Sequence, residues 1–166
     1  MNKKYFLLDT NSLSSLTKSQ DTHHEKLISK LDALNDDVEL YASIISLYEM
    51  EYGAFHAKEP ELIQEAREAI QYIKDADENE DENRIKLCNL TKKGAKIFGE
   101  IKEQFQKKKE EIGEKIGKRS LPKHNVDLII AATAIELEAT LISNDKKMFE
   151  LLQNIQSDFK WEDWTK

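Results

Sequence analysis

The sequence predicts an α/β domain with a central, mostly parallel sheet of about five strands and helices on both faces. Two observations predict it. Short apolar runs bounded by turn residues alternate with longer stretches of helical periodicity, the pattern of strands joined by helical crossovers. The chain also has 166 residues, which suits a single domain spanning 1–166 that buries roughly 68–70% of its unfolded surface.

The first strand is Tyr5-Phe6-Leu7-Leu8, an apolar run that stops on Asp9. Asp9, Thr10 and Asn11 are then three successive candidates to cap a short helix from Asn11 to Lys18, with Leu13 and Leu16 on one side. His24 to Leu34 repeats the helical pattern through Leu27, Ile28, Leu31 and Leu34, and Asn35-Asp36-Asp37 forms a turn. Val38 to Ala42 is the second strand. A helix entered at or near Ser43 or Ser46 follows, with Ile44, Ile45, Tyr48, Tyr52 and Phe55 on its apolar side.

Glu59 to Lys74 carries Leu62, Ile63, Ala66, Ala69, Ile70 and Ile73, an amphipathic helix. The tract from Asp75 to Asn83 breaks that period with Asp75, Asp77, Glu78, Glu80, Asp81 and Glu82, and reads as an acidic solvated loop at about 75–83. Ile85 to Leu90 is a third strand. Thr91 is placed to cap a long helix through about Ile116, burying Phe98, Ile101, Phe105, Ile112 and Ile116 and leaving its lysines in water. Gly117 to His124 is a connector. Val126 to Glu138 is the most apolar helix, Thr140 to Ser143 a fourth strand, Lys146 to Leu152 a helix, and Asp158 to Trp161 a last edge strand.

Charge bounds the partners. The net charge is −7, so the whole surface is not built to hold nucleic acid by bulk attraction. From Lys92 to Lys123, however, eleven Lys and Arg face five Glu. The single cysteine, Cys88, excludes an internal disulfide and lies in an apolar run, as a buried inert thiol would. Asn2-Lys3-Lys4 precedes only four apolar residues before Asp9, far short of a signal-peptide core or membrane span, and the expectation is a soluble cytoplasmic protein.

The acids are informative by position. Asp9 and Asp145 each follow a strand at once, and Glu49 lies in the helix after the second strand. Strand carboxyl ends share one edge of a parallel sheet, which makes these three neighbours. Asp127 opens the most apolar helix, but a connector rather than a strand precedes it, so the sequence alone does not fix its place. Each acid has an ordinary use: Asp127 and Asp145 as caps or first-turn acids worth about 0.5–2 kcal/mol, Glu49 as one solvated glutamate among many. Gathered at one edge they would repel one another, and a divalent cation removes that penalty. An all-oxygen ligand set selects Mg2+ or Mn2+ over zinc or copper, and such ions commonly serve phosphate chemistry.

Competing motifs fail. Gly94-x4-Gly99 continues with Glu100-Ile101, and Gly113-x3-Gly117-Lys118-Arg119 has the wrong spacing for a phosphate loop. An aspartyl-phosphate phosphatase needs a second aspartate two residues after the first, where Asn11 stands.

Leu7-Leu8-Asp9-Thr10-Asn11, the stretch from Ile45 to Gly53, Asp127-Leu128-Ile129-Ile130-Ala131-Ala132 and Leu141-Ile142-Ser143-Asn144-Asp145 together resemble the PIN-domain nucleases, in particular the VapC-like toxins of type II toxin–antitoxin pairs. The resemblance implies a three-layer α/β/α sandwich and a metal-dependent endoribonuclease with RNA as substrate. It makes Asp9, Glu49, Asp127 and Asp145 the catalytic and metal-binding acids, and Thr10 or Asn11, with Ser143, the polar residues that hold them. It also implies a homodimer silenced by a cognate antitoxin. Lys118, Arg119 and Lys123, just before Asp127, are the candidates for RNA phosphates. Two other readings stay open: a PIN nuclease of RNA processing with no antitoxin, and a non-catalytic interaction module binding a protein through Tyr48, Tyr52 and Phe55.

Overall fold

The computed structural model describes residues 3–35, 37–74, 85–113 and 124–166. Strand β1 (Lys4–Leu8) leads into helices α1 (Thr10–Thr17) and α2 (His24–Asp32), and β2 (Val38–Ser43) into α3 (Ile44–His56) and α4 (Pro60–Tyr72). The two-residue β3 (Ile73–Lys74) and β4 (Ile85–Cys88) precede α5 (Lys92–Glu111) and α6 (Asn125–Glu136). Strand β5 (Thr140–Ile142), helix α7 (Lys146–Ile155) and strand β6 (Lys160–Glu162) complete the described elements. The sheet runs β3-β4-β2-β1-β5-β6, and every pairing is parallel.

All five expected strands are present, with β1 in the middle. Alternation along the strands divides the core into two layers, since successive side chains point to opposite faces. Leu7 and Leu141 face one cluster with Ile101, Phe105, Leu128, Ile130, Phe149 and Leu152 from α5, α6 and α7. Phe6, Leu8, Ala42 and Ile142 face the other, with Leu13, Leu27 and Met50 from α1, α2 and α3. The result is a three-layer α/β/α sandwich.

Near the amino ends of the strands, Glu39 of β2 links Lys86 of β4 with Lys3, the residue just before β1. Its carboxylate pairs with Lys3, lies 3.2 Å from Lys86 Nζ of β4, and accepts a 2.6 Å hydrogen bond from the Tyr41 hydroxyl. These contacts, the Lys3 bond first, hold the Glu39 carboxyl at about 2, well below its usual value.

Several expectations are corrected. Helix α4 ends at Tyr72, and Ile73–Lys74 instead pair with Ile85–Lys86 along the open edge of β4. Strand β4 stops at Cys88, with Leu90 half exposed beyond it. Ile112 stands just past the end of α5, and is 52% exposed rather than buried. Lys109 leaves the water-facing row: it is buried, with Nζ 5.6 Å from the Phe105 ring centroid, where its long stem covers apolar surface. Helix α6 ends two residues early because Glu138 takes a left-handed φ of 55°, with Ala139 N–H bonding to Ala134 O and Glu138 N–H to Ile135 O, a Schellman ending.

The largest correction concerns α3. Its buried stripe is Ser46, Met50 and Ala54, four residues apart, whereas Tyr48, Tyr52 and Phe55 are 69%, 69% and 80% exposed. The inward stripe is thus held by Met50 between two small residues, and the aromatics turn outward. Cys88 is half buried, its Sγ 3.1 Å from Ala42 O, and burial pushes the thiol up to about 12. The acidic tract 75–83, the helix continuation to Ile116, and Lys118, Arg119 and Lys123 lie outside the described residues.

Candidate functional site

Asp9 ends the central strand and at the same time caps α1. Its Oδ1 accepts a 2.7 Å hydrogen bond from Ser12 N–H, and its own N–H donates to Ile142 O of β5 at 3.1 Å. A strand end and a helix N-terminus therefore fix one carboxylate, which is only 7% exposed. Burial raises the Asp9 carboxyl above its usual value; hydrogen bonding by Ser143 and Ser12 draws it down, and the nearby Asp145 charge raises it again.

Asp145 arrives by an equivalent device one strand over. Its N–H donates to Ser143 Oγ at 3.1 Å, and its side chain caps α7 by accepting from Met148 N–H at 3.3 Å. Ser143 is itself buried and anchored through its carbonyl, which accepts from Trp161 Nε1 at 2.9 Å. Glu49 comes from the second turn of α3, which opens directly after β2 with Ser43 as its cap. The Thr10 hydroxyl donates to the Glu49 carboxylate, so the helices after β1 and β2 are tied together at the sheet edge. Asn11 is exposed on the first turn of α1.

Asp127 is the residue the sequence left unplaced. It sits in the first turn of α6, and its carboxyl is pushed up to about 6 by burial, then by the charges of Asp145, Glu49 and Asp9. The charges of Asp145, Glu49 and Asp9 thus all reach Asp127, and that of Asp145 also reaches Asp9, at the carboxyl edge of β1, β2 and β5. His124 Nδ1 lies 3.9 Å from Asp127 Oδ2.

Sequence reasoning missed Ser12 and His124. The signal for Ser12 is its position three residues after a strand-ending aspartate, the spacing at which a cap finds its amide. Two further oxygens, Ser46 Oγ three residues before Glu49 and Asn125 Oδ1 two residues before Asp127, are buried with no hydrogen-bond partner. No three His, Cys, Asp or Glu side chains among the described residues stand close enough to enclose a metal ion. No helix among them is long and apolar enough to cross a membrane.

The arrangement matches known proteins along most of the chain. "Ribonuclease VapC2" of Rickettsia felis is 26% identical over 151 residues, covering 90% of this chain and 93% of that protein. The fold matches the VapBC-1 structure from nontypeable Haemophilus influenzae with a TM-score of 0.65 and 23% identity, over 98% of this chain and 99% of that one. It matches VapBC2 from Rickettsia felis, solved with a DNA fragment from their promoter, with the same TM-score and identity over 96% and 98%. The PIN domain family model matches residues 6–153, and the chain belongs to the PIN-domain family.

Proposed function

We propose that this protein is a metal-dependent endoribonuclease that hydrolyses RNA phosphodiester bonds, and the toxin of a toxin–antitoxin pair. The observation that carries the reading is the gathering of acids at one sheet edge: Asp9 and Asp145 cap helices directly after β1 and β5, Thr10 ties Glu49 to the same edge, and the charges of Asp145, Glu49 and Asp9 all reach Asp127. Structural purposes alone do not favour such a concentration of like charge.

The donor set fits a hard divalent cation. Asp9, Asp127, Asp145 and Glu49 supply only oxygen, which suits Mg2+, with Mn2+ as an alternative. Mg2+ keeps several of its waters and needs few direct protein ligands, so one or two of these carboxylates would hold it, the others acting through its waters. Bound there, the ion would acidify a water and neutralise charge on the phosphoryl oxygens.

The chain's own residues hold the acids in place. Ser12 N–H fixes Asp9, Met148 N–H and Ser143 fix Asp145, and the Thr10 hydroxyl orients Glu49. The scissile phosphate is expected to lie against this edge, where water attacks phosphorus without a covalent enzyme intermediate. Lys118, Arg119 and Lys123 remain proposed phosphate contacts.

A cognate antitoxin partner is supported by the likeness to VapBC complexes, and a homodimer by the family resemblance. The test is incubation of a structured RNA pool with purified protein in Mg2+ or Mn2+ against EDTA. Cutting only with metal supports the proposal; a well-folded, metal-binding protein that cuts nothing favours the interaction module. A small gene directly upstream encoding a DNA-binding head and an amphipathic tail would decide for the toxin over a processing nuclease.

A further inference from the structure

We propose that Ser12 is a positioning residue of the acidic site, its hydroxyl setting the spacing of Asp9 and Asp145 by tying α1 to the end of β5. The proposal rests on the reading of these acids as a metal-dependent site and names what holds two of them in place.

The Ser12 hydroxyl reaches much further along the chain than a helical hydroxyl commonly does. Serine and threonine inside a helix tend to bond a carbonyl one turn back, as Thr17 Oγ1 does to Ser14 O at 3.1 Å and Thr133 Oγ1 to Ile129 O at 2.9 Å. Ser12 Oγ instead donates at 3.1 Å to Ile142 O, on the last residue of β5. Ser12 is only 4% exposed, and a hydroxyl buried there without this bond would cost stability that an alanine would not.

Two donors converge on that carbonyl. Asp9 N–H reaches Ile142 O at 3.1 Å from the end of β1, and Ser12 Oγ reaches it from the first turn of α1. On the other side of the same peptide, Ser143 N–H donates to Glu162 O at 3.1 Å. The peptide unit is planar, so fixing its two polar groups fixes the direction in which Ser143 leaves the strand. Ser143 Oγ then accepts from Asp145 N–H at 3.1 Å. Ser12 also offers its own N–H to Asp9 Oδ1 at 2.7 Å. One residue thus acts on both acids, on Asp9 directly and on Asp145 through β5 and Ser143. Burial raises the Asp9 carboxyl and hydrogen bonding by the Ser143 side chain draws it down, which closes the ring of contacts between the two acids.

The fold does not depend on this hydroxyl. In Ser12→Ala the Asp9 cap remains, because it uses the backbone N–H, and Ile142 O keeps its bond from Asp9 N–H. What is lost is the tie between helix and strand. Contacts that orient metal-holding carboxylates from outside commonly change metal affinity or activity by roughly 10–100-fold.

The experiment measures Mn2+ binding by titration calorimetry, RNA cleavage kinetics in Mg2+ and thermal melting in EDTA for wild type, Ser12→Ala, Ser12→Thr and Ser12→Val. Threonine and valine share one shape and differ in the hydroxyl. Ser12→Ala should melt within about 4 °C of wild type. It should bind Mn2+ about tenfold more weakly and lose about tenfold in kcat with KM nearly unchanged. Ser12→Thr should restore both, and Ser12→Val should not. Mn2+ affinity in Ser12→Ala equal to that of wild type overturns the proposal, whatever the melting temperature, and so do Ser12→Thr and Ser12→Val proteins that behave alike. Wild type that binds Mn2+ but cuts no RNA overturns the nuclease reading, while the affinities still decide the role of Ser12. Wild type that binds no Mn2+ overturns both.

Discussion

The Thr10 hydroxyl, on the first residue of α1, donates to the Glu49 carboxylate in the second turn of α3. This bond joins two crossovers that the sheet brings side by side, and it leaves the apolar core untouched. Thr10→Val should therefore fold normally, with a melting temperature within about 2 °C of wild type, and lose about tenfold in kcat. Thr10→Ser should recover most of the loss. Steady-state cleavage kinetics on the three proteins test this; equal kcat values would make the contact incidental.

Asp127 sets one pH dependence. Its folded carboxyl titrates at about 6 against 3.8 in the unfolded chain, so between those values the folded state binds more protons. Stability from this group is therefore highest below about pH 4 and falls as pH rises to about 6. Asp127→Asn should raise metal-free stability at pH 7 by about 1 kcal/mol, allowing for solvent screening at this part-exposed group. The gain should vanish below about pH 4. Thermal melts in EDTA across this range measure it, and added Mg2+ should stabilise wild type but not the variant.

Glu39 gives the opposite sign. Its folded carboxyl lies at about 2 against 4.5 unfolded, so its contribution is complete above about pH 4.5 and is lost as pH falls toward 2. Glu39→Gln should cost about 1 kcal/mol at pH 7, roughly 2–4 °C in melting temperature. The two melting curves should converge in acid.

Glu138 holds a left-handed backbone that side chains with a Cβ adopt at a cost. Glu138→Gly should stabilise the protein by about 0.5–1 kcal/mol, since the Schellman ending already demands that conformation. Chemical denaturation decides it, and a loss of stability would mean that the Glu138 side chain contributes more than the strain costs.

The site was legible wherever one element governs a residue. Asp9 and Asp145 end strands and cap helices, so their place follows from strand runs and turn chemistry alone. Asp127 was not placed by the residues themselves, because its position depends on how α6 packs across the sheet, a tertiary matter that no local period records. The aromatics of α3 were misread for a related reason. Tyr48, Tyr52 and Phe55 share a helical spacing with Ser46, Met50 and Ala54, and hydrophobicity alone favours the larger set. The inward stripe is instead Met50 between two small residues. Ile73 fits a helical or a strand period equally, and the open edge of β4 decides it. Lys109 was counted as solvated by its charge, although its stem is apolar and Phe105 lies beneath it.

The most direct test of the proposed chemistry is RNA cleavage by wild-type protein and the Asp9→Asn variant, side by side in Mg2+. Asparagine keeps the cap to Ser12 N–H and the volume, and removes only the charge. Metal-dependent cutting by wild type, with at least a hundredfold loss in a variant of unchanged melting temperature, is the expected result. Undiminished cutting by Asp9→Asn would contradict the assignment of this edge as the catalytic site.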